Sequence, residues 1–218
     1  MTGRIAPFGI TICGIEELTE HCVADVSHVL SILDPAWPVP EAFGGLGEHR
    51  RLELRFHDVI EDMPGLAPPR PEHVAELLAF GRDLLGELHP AGGHLLVHCH
   101  AGVSRSTAAT ALILAQALPD LPAGQILGEG LRIRPRAWPN LRLIELGDAM
   151  LGRGGELIAA AAGIYRRQLA IWPDLAEQMS LGGRGREVAI AGGAWQEAMA
   201  AGSRSAAASP PSVGREER

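Results

Sequence analysis

The stretch HCHAGVSRST at residues 98–107 holds most of the residues whose types and spacing could do chemistry. Cys99 follows the short apolar run LLV at 95–97, and Arg105 comes six positions after the cysteine. The apolar run predicts a buried strand, and the small residues after Arg105 predict a helix. A loop between a strand and a helix N-terminus directs backbone N–H groups and partial positive charge toward one point. The stretch therefore predicts a cradle for a tetrahedral oxyanion, for which phosphate is the best candidate.

The cradle has a nucleophile at its base, the thiol of Cys99. The field of a helix N-terminus favours a thiolate there, and a thiolate is a nucleophile at neutral pH. Arg105 can bind two phosphate oxygens with its planar guanidinium, and the Ser106 hydroxyl can hydrogen-bond the thiolate and help it leave in a second step. Gly102 permits a backbone conformation that other residues resist. Together these residues predict attack on a phosphate by a cysteine.

His98 and His100 flank Cys99 and raise the question of a metal site. Alternating positions on a strand would turn both histidines away from the cysteine, and no second cluster of metal ligands appears in the sequence. No metal is therefore predicted. A cysteine after an apolar strand is more often a buried core residue, but its combination with Gly102 and Arg105 favours catalysis.

The pattern His98-Cys99-x5-Arg105-Ser106 matches HCx5R[S/T], the signature of the cysteine-dependent protein tyrosine phosphatase superfamily. The stretch is especially similar to dual-specificity phosphatases and to small bacterial tyrosine phosphatase-like proteins, and the resemblance covers roughly residues 8 to 152. It implies an α/β fold whose central, mostly parallel sheet is flanked by helices. It also implies hydrolysis of phosphotyrosine, with phosphoserine and phosphothreonine as further candidates, through a phosphocysteine intermediate and with no cofactor.

The resemblance also assigns roles to individual residues. Cys99 attacks phosphorus, and His98 is a structural residue that supports the loop and the thiolate. His100 is expected at the rim of the loop, near the substrate entrance. The residues expected to bind the phosphate are His100, Ala101, Gly102, Val103, Ser104 and Arg105.

A phosphate ester also needs a proton donor for its leaving oxygen, which a carboxylic acid on a nearby loop can supply. The family places this Asp upstream of the cysteine, in a loop after a strand. Asp58 directly follows the alternating strand RRLELRF at 50–56 and is favoured. Asp62 is the alternative, Glu61 is a weaker candidate, and both aspartates could instead be solvated loop carboxylates.

A proline-asparagine pair, Pro139-Asn140, precedes a predicted helix, and dual-specificity phosphatases have a similar pair. Asn140 could support the phosphate loop, or it could be merely a helix N-cap. Arg132, Arg134 and Arg136 alternate just before this pair. They could share a face and attract an anionic substrate, or they could form a solvated basic strip.

Predicted strands alternate with predicted helices over the first 118 residues, and helices alone follow. Alternating or short apolar runs predict strands at 8–13, 28–33, 50–56 and 94–98. Helical spacing predicts helices at 16–26, 72–88, 106–118, 123–131, 139–151 and 156–172. This order is typical of an α/β fold with a largely parallel sheet.

The chain divides into a predicted catalytic domain at residues 1–175 and an extension at 176–218. In the extension, GGRGR at 182–186 is expected to be a linker, and EVAIAGGAWQEAMA after it a marginal helix. Residues 202–218 are rich in Ser, Ala, Gly and Pro, which predicts a disordered tail.

Composition limits the classes of partner. A net charge of −7 makes a nucleic-acid partner unexpected. Three cysteines do not suggest a disulfide framework, and neither a signal-peptide pattern nor an apolar run long enough to span a membrane is present. A cytoplasmic location is therefore expected, with a phosphorylated protein or a small phosphomonoester as the partner and no membrane partner.

Two other functions fit parts of the pattern. A binding module could capture phosphorylated partners without turnover, although an intact Cys99, Arg105 and Asp58 argue against it. A rhodanese-like sulfur carrier also uses a loop cysteine before a helix, but the Arg105-Ser106 pair favours a phosphatase. No lysine lies between Cys99 and Arg105, which weakly disfavours an inositol headgroup as substrate.

Overall fold

Four short strands form a sheet in the computed structural model, which describes residues 5–22, 25–45, 49–86 and 93–193. The strands are Gly9–Cys13 (β1), His28–Leu33 (β2), Arg50–Arg55 (β3) and His94–His98 (β4). Their order in the sheet is β1-β4-β2-β3, and each neighbouring pair is parallel. The predicted α/β class with a parallel sheet is confirmed, and the four predicted strands lie where they were expected.

Helices connect and cover these strands. They are Leu18–His21 (α1), Pro71–Gly86 (α2), Arg105–Ala117 (α3), Ala123–Ile133 (α4), Leu141–Met150 (α5), Glu156–Ile171 (α6), Leu175–Met179 (α7) and Gly185–Ala191 (α8). The helix expected at 16–26 is reduced to the four residues of α1, where the amide of Cys22 closes onto the carbonyl of Leu18; residues 23–24 lie outside the described residues. None of the helices in the described ranges combines the length and apolar character needed to cross a bilayer.

Alternation along the strands gives the sheet two apolar faces. Leu30 and Ile32 of β2 face the larger core, which also contains the buried sides of α2, α3, α5 and α6. Val29 of β2 and Leu96 of β4 point to the other face, where a smaller cluster forms around Leu18 of α1. Both faces of a parallel sheet must be covered, and these two clusters meet that requirement.

The central helix α3 fixes where the predicted phosphate loop ends. Every residue from Arg105 to Ala115 is buried, because the many Ala side chains let α2 and α5 pack closely on its sides. Gly147 of α5 shows how close the contact is, since a Cβ at that position would lie 2.2 Å from Cδ2 of Leu112. The N-terminus of α3 is therefore held rigidly behind the end of β4.

The C-terminal helices pack on the same core. Ile190 and Ala191 of α8 belong to the larger apolar cluster, and α8 lies against α6. The linker expected at 182–186 is shorter than predicted, because the chain kinks at Gly183, where φ is +76°, and α8 begins at Gly185. The domain boundary at 175/176 stays a prediction, and the tail expected at 202–218 lies outside the described residues.

Replacing Gly147 with Ala is expected to lower the free energy of unfolding by about 1–3 kcal/mol, because the added methyl group overpacks the contact with Leu112. Gly128→Ala is the matched control, since Gly128 is exposed on α4 and an added Cβ meets nothing within 4 Å. Alanine is favoured over glycine in a helix, so the control should gain up to about 1 kcal/mol. Urea unfolding measures both values, and equal shifts of the two variants would contradict the packing of α5 on α3.

Candidate active site

Polar residues that could take part in a reaction follow the ends of neighbouring parallel strands. Cys99 comes directly after β4, Asp34 directly after β2, and Asp58 three residues after β3. The carboxyl ends of parallel strands lie at the same edge of a sheet, which is where α/β proteins bind ligands. The fold therefore brings a thiol and two carboxylates to one edge.

The loop after Cys99 holds five consecutive carbonyl groups by hydrogen bonds to groups outside the loop. Backbone amides of Ile15, Trp138 and Asn140 supply three of the donors, and the Arg134 guanidinium supplies the other two. The bonds are Ile15 N to His100 O (3.0 Å), Arg134 Nη2 to Ala101 O (3.1 Å), Arg134 Nε to Gly102 O (3.2 Å), Trp138 N to Val103 O (2.9 Å) and Asn140 N to Ser104 O (3.3 Å).

These anchored carbonyls determine where the loop amides point. The chain has no cis peptide bonds among its described residues, and in a planar trans peptide the C=O and the next N–H point in opposite directions. Each anchored carbonyl therefore turns the following N–H to the inner side of the loop. The five N–H groups of residues 101–105 therefore face the side of the loop on which the sequence predicts a cradle for a tetrahedral anion.

Two glycines allow the loop to lie directly on the end of β1. Gly102 has φ of +68°, and a Cβ there would lie 2.5 Å from the backbone carbon of Cys13. A Cβ on Gly14 would come within 2.9 Å of His100 O. Any side chain at Gly102 would push the loop away from β1 and separate the amides.

Arg134 fastens the loop from its outer side. Besides its two bonds to loop carbonyls, its Nη1 donates to Oε1 of Glu17 at 2.9 Å. The other oxygen of Glu17 accepts from the amide of Gly14 at 2.6 Å. The hydrogen bond from Arg134 lowers the pKa of Glu17, so this carboxylate stays charged at neutral pH. Glu17 and Arg134 thus tie the loop to the end of β1.

The three alternating arginines do not share a face, contrary to one expectation from the sequence. Arg132 lies on α4, which ends at Ile133, and forms an ion pair with Glu129 on the same helix. Arg134 turns to the loop, and Arg136 lies over the ring of Trp172 at 5.6 Å. The helix end between Arg132 and Arg134 breaks the alternation on which the shared face depended.

Cys99 is buried at the base of the loop, with its Sγ 3.2 Å from Oγ of Ser106. The two other cysteines have different surroundings. Burial raises the pKa of Cys13 to about 12, and burial also raises the pKa of Cys22. Both of these thiols therefore remain protonated at neutral pH, whereas Cys99 lies beside the loop amides and the N-terminus of α3.

Two hydrogen bonds hold the guanidinium of Arg105 in place. Its Nη1 donates to Oδ1 of Asp34 and to the carbonyl of Phe56, each at 2.6 Å. Its Nε is buried and has no hydrogen-bond partner among the described residues. Buried N–H groups are nearly always paired in folded proteins, so an unpaired one beside an anion cradle suits an oxygen of the bound anion.

The two histidines lie on either side of the cysteine with different partners. His98 is buried on the far side of the sheet, where its Nε2 is 2.7 Å from Oγ of Ser31. Burial lowers the pKa of His98 to about 4, so its ring is neutral at pH 7. His100 is half-buried at the rim, packs against the ring of Trp37, and accepts from the amide of Asp34. Within the described residues, no group of three or more His, Cys, Asp or Glu side chains is arranged to hold a metal ion.

The two candidate acids have very different surroundings. The Oδ1 of Asp58 accepts from Oγ of Ser104 at 2.7 Å and from Nδ2 of Asn140 at 2.8 Å. Asp58 is therefore attached to the phosphate loop itself. The Asp62 side chain is 82% exposed and pairs with Arg142 at 3.1 Å, away from the loop. This geometry supports Asp58 as the acid.

Asn140 does both things that the sequence left open. Its Oδ1 accepts from the amide of Leu143, which makes it the N-cap of α5. Its Nδ2 donates to Asp58, and its backbone amide anchors the loop at Ser104. One residue therefore connects the loop, the candidate acid and the start of a helix.

Sequence reasoning missed three residues that contact this site. Asp34 stands before a proline directly after a predicted strand, which indicates only a strand end, although its position at the carboxyl end of a strand beside β4 could have indicated a role. Arg134 was grouped with two other arginines. Arg184, whose Nη1 lies 3.3 Å from Oδ2 of Asp58, follows glycines in a stretch with no periodic signal.

Alkylation by iodoacetate at pH 7 is expected to be fastest at Cys99, because the raised pKa values of Cys13 and Cys22 keep those thiols protonated. Inorganic phosphate should slow the reaction by occupying the cradle. Peptide mass spectrometry after timed labelling identifies the modified residue. Preferential labelling of Cys22, or no protection by phosphate, would contradict this description of the site.

Comparisons with known proteins find similar structures but no sequence relative. No protein-family model and no curated protein matches the chain. Human DUSP28 is 20% identical, with a TM-score of 0.49 over 69% of this chain and 98% of its own. A mouse putative dual specificity phosphatase complexed with zinc tungstate is 20% identical, with a TM-score of 0.48 over 73% of this chain and 96% of its own.

The phosphatase domain of Yvh1 from Chaetomium thermophilum is also similar. It is 21% identical, with a TM-score of 0.44 over 70% of this chain and 96% of its own. The mouse protein and Yvh1 are both named as phosphatases.

Proposed function

We propose that the chain is a cysteine-dependent phosphatase that hydrolyses phosphomonoesters through a phosphocysteine intermediate. The observation that carries the proposal is the set of five loop carbonyls anchored outward, from His100 to Ser104, which turns five amides toward the inner side of the loop that begins at Cys99. The buried, unpaired Nε of Arg105 supports it, because this N–H is available to a phosphate oxygen.

In the first step, the Sγ of Cys99 attacks phosphorus. An S–P bond forms while the P–O bond to the leaving group breaks, and Asp58, as the carboxylic acid, gives its proton to the leaving oxygen. The negative charge spread over the three non-bridging oxygens is stabilised by the amides of residues 101–105 and by Arg105. Asp34 and the carbonyl of Phe56 keep that guanidinium in place, so little reorganisation is needed.

In the second step, water attacks phosphorus and the S–P bond breaks. Asp58, now a carboxylate, accepts a proton from the water, and the thiolate of Cys99 leaves. Ser106 lies 3.2 Å from the sulfur and can donate its hydroxyl hydrogen to the departing thiolate. The reaction returns the enzyme to its starting form and releases inorganic phosphate, and no cofactor takes part.

The resemblance carried by HCx5R[S/T] supports phosphotyrosine as the substrate class. A cavity of about 990 Å³ borders the loop at Ala101 and Val103. Its walls include the exposed side chains of Ile171 and Trp172, and Arg136 lies over the Trp172 ring. Cys99, Arg105 and Asp58 do not line this cavity, and Arg134 on its wall holds the outer side of the loop, so the cavity offers a surface for a part of the substrate away from the phosphate.

The protein is expected to hydrolyse para-nitrophenyl phosphate without added metal, and Cys99→Ser should lower kcat by at least roughly 10³-fold because it removes the nucleophile. Cys22→Ser is the matched control and should retain wild-type turnover. Orthovanadate should inhibit and EDTA should not. Phosphotyrosine peptide binding without turnover would favour a binding module, and sulfur transfer from thiosulfate would favour a rhodanese-like carrier.

Asp58→Asn is expected to lower kcat by about 10²–10⁴-fold on phenyl phosphate, because the poor leaving group depends on a proton donor. The loss on para-nitrophenyl phosphate should be smaller, since that leaving group departs more easily as an anion. Asp62→Asn is the control and should stay close to wild type on both substrates. A large loss in the Asp62 variant alone would reverse the assignment of the acid.

A further inference from the structure

The C-terminal helices bring an arginine onto the candidate acid. Arg184 is buried at the start of α8, and its Nη1 lies 3.3 Å from Oδ2 of Asp58. The backbone turns at Gly183, where φ is +76°, and this turn directs the next residue into the core. The ion pair therefore joins two segments that are 126 positions apart in the chain (184 − 58).

Glu187 fixes the orientation of the Arg184 guanidinium. Its Oε2 and Oε1 accept from Nε and Nη2 of Arg184, each at 2.7 Å. Glu187 is fully buried and also accepts from Nε1 of Trp138 at 2.6 Å and from the amide of Leu141 at 3.0 Å. Because two nitrogens of the guanidinium are used by Glu187, the third is held toward Asp58.

The two carboxyl oxygens of Asp58 contact different parts of the protein. Oδ1 accepts two hydrogen bonds, from Ser104 of the phosphate loop and from Asn140. Oδ2 faces Arg184. Because Oδ1 already accepts two hydrogen bonds, Oδ2 is the oxygen that carries the proton of the acid form, and the contact with Arg184 determines the angle at which this oxygen faces the loop.

We propose that Arg184, held by Glu187, is a positioning residue that orients Asp58 for proton transfer. The proposal rests on the proposed function, because it assigns a part in the same reaction. It makes the segment after α7 a component of the catalytic unit. Glu187 already holds α8 to the core through Trp138 and Leu141, whereas the Nη1 of Arg184 contacts the candidate acid itself.

The first test compares Arg184→Met with Arg166→Met. Arg166 is the matched control, because its Nε donates to the carbonyl of Ala191 and ties α6 to the end of α8 without touching Asp58. Arg184→Met is expected to lower kcat on phenyl phosphate roughly tenfold or more, with a smaller loss on para-nitrophenyl phosphate and unchanged KM. Arg184→Lys should recover part of the loss, and Arg166→Met should behave as wild type on both substrates.

Removing one partner of a buried ion pair can unfold a protein. A second variant is therefore compared on the same two substrates. Arg184→Met combined with Glu187→Gln removes the buried carboxylate that Arg184→Met alone would leave unpaired, and the amide oxygen of Gln still accepts from one of its two donors, Trp138 or Leu141. Its thermal unfolding and its inhibition by orthovanadate report an intact fold and loop. With both unchanged, the substrate-dependent loss of kcat should persist.

A double-mutant cycle separates positioning from general damage. If Arg184 acts through Asp58, Arg184→Met should cause no further loss in an Asp58→Asn background. An equal loss in both backgrounds, or an equal loss on both substrates, would overturn the proposal. Absence of turnover in the wild type would overturn the proposed function instead. Only the role of Arg184 would be overturned if the wild type is active, Asp58→Asn is impaired, and Arg184→Met behaves like Arg166→Met.

Discussion

The rigid peptide plane is the constraint on which the candidate site depends. A loop can present several N–H groups to one anion only if the carbonyls of the same planes find partners on the other side. Here those partners come from three places: the start of the loop after β1, a guanidinium after α4, and the backbone before α5. Much of the polypeptide around the loop therefore supplies hydrogen-bond donors to its carbonyls. The N–H groups of the same peptide planes point the opposite way, toward the inner side of the loop.

The strands, most of the helices and the loop were predictable from the sequence because each has a local cause. Alternating or short apolar runs mark the strands, and HCHAGVSRST combines a strand end, a glycine and a helix start within ten residues. Residues at the ends of parallel strands could in part be anticipated, as Asp58 was, since topology places strand ends together. Asp34 belongs to the same class and was missed only because it looked like a strand terminator.

The contacts made by Arg134, Arg184 and Glu187 had no local cause. Each is a charged residue in or beside a loop or a glycine-rich stretch, where the usual expectation is solvation. Burial of Arg184 and Glu187 depends on how α8 packs against α6, and a single sequence holds no periodic signal for that docking. Long-range pairing of charges is thus the part of the site that only the three-dimensional structure reveals.

The anchors of the phosphate loop have a consequence for the order in which the protein acquires its shape. The strands, the loop and α3 all lie within the first 117 residues, whereas the groups that hold four of the five loop carbonyls lie at 134–140 and the Arg184–Glu187 pair comes later still. During synthesis the sheet can assemble while these groups are still unmade. Closing long chain segments costs entropy before any contact forms, so such contacts come late in folding. Until residues 134–140 have been made and packed, four of the five loop carbonyls lack their partners, so the direction of the loop amides is set late in folding.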